Sequence, residues 1–168
     1  MTELEQFHKE KDKYFSRDPH SPLTRAQRKD FGGLKYFPEN PQLSLEVLVE
    51  RFDHPVEVEM QTSTGAVQVY TRYGRFKFEV EGVAAELTLY HSEGGFFLPF
   101  ADALAGKETY GAGRYLEPEA VGKERFLVDF NYAYNPYCAY NDIWSCPITP
   151  AENRLKVAIR AGEMSFHD

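Results

Sequence analysis

"AVQVYTRYGRFKFEVEGVAAELTLYHSEGGFFLPF", residues 66–100, decides the fold. Apolar and polar residues alternate along "AVQVYTRYG", and "RFKFEV" puts Phe76, Phe78 and Val80 on one face. Period-two alternation marks a half-buried strand, because successive side chains leave opposite faces of the pleat. "EG" turns the chain into "VAAELTLYH", and "SEGG" turns it again into "FFLPF". Strands joined by such short turns pair as an antiparallel meander.

The pattern extends on both sides. "LSLEVLVERF" at 43–52 alternates Leu43, Leu45, Val47 and Val49 against polar or mixed partners. "VEVEM" follows, and "STG" turns the chain toward residue 66. Further strands are expected at 109–116, 125–130 and 155–160. A meander of half-polar strands this long curls into a barrel or packs as a sandwich.

Upstream of residue 43 the period is helical. Leu4, Phe7, Lys11, Tyr14 and Phe15 share one face, which predicts an amphipathic helix over 2–17. Asp18-Pro19 stops it. Thr24 and Gln27 form a capping-box pair, which predicts a second helix over 25–31, ended by Gly32-Gly33. The predicted fold class is therefore mainly β: an antiparallel meander forming a barrel or sandwich, with N-terminal helices. One domain is expected over 1–168. Residues 1–42 pack on a β core of 43–168 that carries a long ordered segment at 129–153.

At 168 residues the chain suits one hydrophobic core. A net charge of −7 argues against a nucleic-acid partner, which needs a basic face, and against adhesion to anionic membranes. No stretch approaches the roughly 20 apolar residues of a membrane span. "MTELEQFHKEKDKYF" lacks the apolar centre of a signal peptide, so a cytoplasmic location is the default expectation. The oligomeric state is not legible.

Residues that could carry chemistry gather in the second half. Glycines at 111 and 113 flank Arg114 as a small-residue gap beside a cation. The spacing is not that of a phosphate loop. The plain reading is a bulged strand whose arginine pairs with a carboxylate. Asp102 follows "FFLPF". Asp129 and Asn131 stand where "RFLVDF" runs into "NYAYNPYCAYNDIWSCP". Asn135-Pro136 favours a turn, and Tyr132, Tyr134, Tyr137 and Tyr140 offer rigid walls with polar tips suited to a pocket, and suited also to a packed loop with buried hydroxyls. Glu152 and Asn153 follow two prolines. Asp129 or Glu152 could serve as a base, or could hold an arginine.

Cys138 and Cys146 are too few for a structural zinc site, which takes four ligands. A reducing cytosol disfavours a bridge. Buried, unreactive thiols remain the simplest reading, with no metal and no cofactor assigned. A catalytic thiolate needs a base or positive field, and no histidine lies in this segment.

"PFADALAGKETYGAGRYLE", "VDFNYAYNPYCAYNDIWSCPITPAENRL" and "VAIRAGE" closely resemble the family known as domain of unknown function 1684. "SPLTRAQRKDFGGLKYFPEN" is similar to its opening motif. Its motif positions fall on Asp102, Lys107, Glu108, Thr109, Tyr110, Gly111, Gly113, Arg114, Asp129, Asn131, Tyr134, Asn135, Pro136, Cys138, Cys146, Pro147, Glu152 and Asn153. Where the family commonly carries Arg-Asp-Ala-Thr, this chain has Ala101-Asp102-Ala103-Leu104. The resemblance implies kinship and no activity.

Three functions are therefore weighed. The first is a small-molecule binder, for an anionic ligand, with a pocket bordered by 102–114 and 129–153. Its contacts would be Arg114, Asp102, Tyr110, Asn131, Tyr134, Asn135, Cys138 and Asn153. The second is a cofactor-independent hydrolase or isomerase with Asp129 or Glu152 as base and Arg114 as anion clamp. The third is a closed polar network, with function on the surface.

Overall fold

The computed structural model describes residues 1–167. The chain runs α1 (Glu3–Arg17), α2 (Arg25–Lys29), β1 (Ser44–Leu48), β2 (Glu50–Arg51), β3 (Glu57–Gln61), β4 (Val67–Val80) and β5 (Val83–Ser92). Then come β6 (Gly95–Phe100), β7 (Arg114–Leu116), β8 (Glu119–Gly122) and β9 (Arg125–Asp129). All sheet pairings are antiparallel, so the mainly β reading holds. β1, β9 and β8 form one sheet, and β2, β4, β5, β6 and β7 another, with β3 also pairing β4.

The 66–100 stretch is the β4–β5–β6 meander. Val80 faces Val83 across Glu81 and Gly82, whose φ values are 50° and 81°. Positive φ at both central residues is what a type I′ hairpin turn requires, and glycine supplies one of them without strain. A bulge at Tyr73 lies between the pairs Arg72–Tyr90 and Gly74–Leu89. Alternation alone does not reveal it, because the extra residue is itself a half-buried aromatic.

Among the described residues the strands do not close into a barrel. The chain passes between sheets instead. Only Val49 separates β1 from β2, and Glu117-Pro118 separates β7 from β8. β7 is three residues long, and beyond it only Tyr115 bonds outward, exchanging backbone hydrogen bonds with Tyr134. Val47, Phe126 and Val128 of the smaller sheet share one core with Phe76, Leu87, Leu89, Leu98 and Phe100 of the larger. Each such burial is worth about 1.5–3 kcal/mol.

Three expected elements change. Residues 155–160 form no strand, because their backbone groups bond to side chains and to the loop after β6. Of 109–116 only 114–116 is strand, since Tyr110 accepts a turn hydrogen bond from Gly113. α2 ends at Lys29, two residues short. α1 matches expectation, capped reciprocally by Thr2 and Glu5. Its Phe15 meets Tyr137 and Tyr140 edge to face, and Gln27 Nε2 donates to the Tyr140 carbonyl. The N-terminal region thereby packs on the 129–153 segment.

Candidate functional site

Arg114 opens β7 and is 1% exposed. Nη1 donates to the carbonyls of Ala161 (2.5 Å) and Glu163 (3.0 Å), and Nη2 to that of Ile159 (2.9 Å). Gly162, at φ +79°, bends the chain between them, and the carbonyls of 159, 161 and 163 together present a row of acceptors. Here the row is met by a guanidinium instead of a neighbouring strand. The nearest carboxylate oxygen, Asp102 Oδ2, is 3.9 Å away. Burial pulls the Arg114 pKa down to about 10, against the pull of Asp102 and Glu163. The expected arginine–carboxylate pair is present as this long contact with Asp102, both side chains being 1% exposed, while the hydrogen bonds of the fork go to carbonyls.

The gap beside Arg114 is filled. Gly113 has φ +106°, and a Cβ there would collide with Thr149 Oγ1 and stand 2.7 Å from the Phe100 carbonyl oxygen. Asp102 Oδ1 accepts from Thr109 Oγ1 (2.8 Å), and Oδ2 accepts from the Ile159 amide (2.7 Å). Asp102 therefore ties the chain after β6 to the segment that Arg114 clasps.

The asparagines act similarly. Asn153 Oδ1 accepts from the Thr88 amide (2.8 Å), while Nδ2 donates to the carbonyls of Thr88 (2.9 Å) and Pro99 (2.7 Å). Asn131 exchanges two hydrogen bonds with the backbone of Asn40. Asp129 Oδ1 accepts from the amide and Nδ2 of Asn131, capping the 3-10 turn Phe130–Tyr132. Asn135 donates from its backbone to Glu163 Oε1 and from Nδ2 to the Met164 carbonyl. Tyr134 donates to Glu117.

Glu152 stands apart, on the far face of β5. Arg72 grips it through Nε and Nη2, and Thr88 and Tyr90 donate hydroxyls to it. Burial raises its pKa, but the hydrogen bonds from Arg72, Tyr90 and Thr88 outweigh this and leave it lowered.

A carboxylate outside the expected set is also buried. Glu163, 2% exposed, accepts from Lys11 Nζ, from the Tyr140 hydroxyl (2.7 Å) and from the Asn135 amide. Burial, then Glu163, drives the Tyr140 pKa up. Nearby, His8 stacks on Tyr36 with ring centres 3.6 Å apart, and Tyr36 donates to Asp12. Lys11 arrives from α1, at a separation that no local pattern exposes. The only sequence signal for Glu163 was its place in "VAIRAGE".

The sulfurs meet. The Cys138 amide donates to Cys146 Sγ at 3.2 Å, and the Tyr110 hydroxyl donates to Cys138 Sγ at 3.6 Å. Both cysteines are free. Among the described residues no cluster of metal-binding side chains forms.

A family model described as "Protein of unknown function (DUF1684)" matches residues 29–164. The chain belongs to that family. A solution NMR structure of the uncharacterized protein from gene locus rrnAC0354 of Haloarcula marismortui is 34% identical to it. That match covers 98% of this chain and 94% of the other, with a TM-score of 0.73. A search of curated proteins found no match. Among the described residues no helix is long and apolar enough to cross a membrane.

Among the described residues of this DUF1684 chain, five of the better-formed clefts include one of about 150 Å³ that touches Asp129, and none of these five is lined by the other expected site residues. A cleft of about 380 Å³ lies between the β4–β5 turn and residues 156–160. Leu43, Val80, Val83 and Val157 supply apolar wall, and Asn40, Gln42, Glu79 and Glu81 supply polar groups. Lys156 and Arg160 reach it as well. Arg160 is held by Glu108 at 2.8 Å. Lys156, which is exposed, has no carboxylate within ion-pair distance among the described residues.

Proposed function

We propose that the protein binds a small molecule with an anionic end in the cleft beside Lys156. The observation that carries this is the lysine itself: an ammonium without an acidic partner, on the wall of a concavity with an apolar side. A cleft of about 380 Å³ falls within the usual range of roughly 300–1,000 Å³ for small-molecule sites. The apolar wall would take the body of the ligand, and Lys156 its charge. Glu79 and Glu81 disfavour a second negative charge at the opposite rim.

This reading moves the site away from residues 102–114 and 129–153. Arg114 has its donors engaged by backbone, so it has little to offer a ligand. The catalytic alternative also loses support. A general base works best with a pKa near the operating pH, and Glu152 is shifted the other way. Asp129 is occupied as a turn cap.

The test is amide NMR of labelled protein titrated with small carboxylates and phosphate monoesters. Shifts should cluster at 80–83 and 156–158 and vanish in Lys156→Glu. No shift by roughly 10 mM ligand, tenfold above a weak millimolar dissociation constant, would overturn the proposal. So would shifts centred on Arg72 and Glu152.

A further inference from the structure

We propose that Cys138 and Cys146 form a redox pair, in which a hydroperoxide oxidises Cys138 and Cys146 resolves the product into a disulfide. The inference is independent of the Lys156 cleft and concerns the run 136–147.

Local structure brings the sulfurs together. Pro136 starts the 3-10 turn Tyr137–Ala139, which lifts the Cys138 amide toward Cys146. Cys146 is fixed from the other side: its amide donates to Ser63 Oγ, and its carbonyl accepts from the Ser63 amide. The two thiol groups lie near enough to shift each other's ionisation, and Ser63 near enough to act on Cys138. Eight positions of sequence are thus folded so that the Cys138 amide meets Cys146 Sγ at 3.2 Å.

The two sulfurs are not equivalent. Cys138 is half-buried and open to a small oxidant, whereas Cys146 is 7% exposed. The Cys146 thiol and Ser63 lie beside Cys138 Sγ, which accepts a hydrogen bond from the Tyr110 hydroxyl. Against the penalty of burial, these pull its pKa down to about 6, and the Cys146 thiol is pushed up. Tyr110 donates, and its own ionisation is suppressed by burial first and by Cys138 second. Donated hydrogen bonds do here what a neighbouring cation does at other thiolates. An accessible thiolate beside a sheltered thiol is the arrangement of an oxidisable cysteine with its resolving partner.

The chemistry balances. The Cys138 thiolate attacks one peroxide oxygen, the O–O bond breaks, and the other oxygen leaves with the electron pair and takes up a proton as alcohol or water. Cys138 is then a sulfenic acid. Cys146 attacks its sulfur, the S–O bond breaks, and water leaves with the proton that Cys146 gives up. In sum, two thiols and one hydroperoxide yield a disulfide, an alcohol (or water) and a water. The sulfurs are oxidised by two electrons and the peroxide is reduced by two. A thiol reductant reverses the bridge.

The experiment treats full-length native protein with hydrogen peroxide, then measures intact mass and maps peptides without reduction. Wild type should lose two hydrogens per chain, with the bridge mapped to Cys138 and Cys146, and dithiothreitol should restore both thiols. Cys146→Ser should form no internal bridge and accumulate dimedone-reactive sulfenic acid at Cys138. At neutral pH, wild-type Cys138 should alkylate with iodoacetamide at least about tenfold faster than Cys146, as thiolate content and access dictate. Both thiols surviving peroxide in native protein, yet titrating fully after unfolding in urea, would overturn the proposal. So would sulfenic acid found on Cys146, or bridges only between chains. The wild-type measurement decides the matter even if the variant fails to fold.

Discussion

The side-chain amide of Asn153 donates to the carbonyl of Pro99 at 2.7 Å, at the place where β5 and β6 stop pairing. Those strands pair from Tyr90–Phe97 to the turn and no further. Proline has no N–H to continue the ladder. Asn153 occupies the opening and satisfies Thr88 as well, doing with one side chain what a strand residue does with its backbone. Asn153→Ala should leave buried peptide groups unpaired and cost about 2–3 kcal/mol. Urea denaturation would measure it. Asn153→Asp should be no rescue, because a carboxylate cannot donate to Pro99.

Arg114 performs the same service for 159–163. Arg114→Ala strips three carbonyls of their donor and leaves Asp102 without its nearest cation. The expected loss is about 3–5 kcal/mol, as for opening a buried charged network. Arg114→Lys keeps the charge but not the planar fork, so most of the loss should persist. A loss below about 0.5 kcal/mol, the range of ordinary surface changes, would remove the clasp from the account.

Gly113 is held by both conformation and space. Gly113→Ala must accept φ +106° and a methyl group 2.7 Å from the Phe100 carbonyl oxygen. Strain of this kind costs roughly 1–3 kcal/mol. The melting temperature should fall, whereas Gly65→Ala, with open space around it, should pay only for its own positive φ.

Acid should reveal Glu152. Its folded pKa lies below the unfolded value of about 4.3. Its contribution to stability is therefore complete above about pH 4.3 and disappears as pH falls through the folded value. Because the carboxylate is one-third exposed, the effect should be small, under about 1 kcal/mol. Denaturation from pH 7 down to 3 should show Glu152→Gln losing less stability than wild type over that window. Equal slopes would mean that Arg72 contributes nothing there.

The β elements were legible because their signal is local. Alternation along 66–100 fixes which face of each strand is apolar, and Glu81-Gly82 can turn only where positive φ is tolerated. The capping pairs Thr2–Glu5 and Thr24–Gln27 lie within one helical turn and set the helix starts.

Only the tertiary structure decided what the polar residues do. The sequence singled out Arg114, Asp102, Asn131, Asn135 and Asn153, but residue type does not say whether a donor meets a ligand or a distant backbone carbonyl. Arg114 and its acceptors are 45 to 49 positions apart, and Asn153 reaches back 54 to Pro99. Lys11 and Glu163 are separated by 152. Sheet division was equally nonlocal: alternation orients a strand's faces but carries no record of where Val49 hands the chain from one sheet to the other. Hydrophobic period is written residue by residue along the chain. The partner of a buried polar group is chosen by the fold.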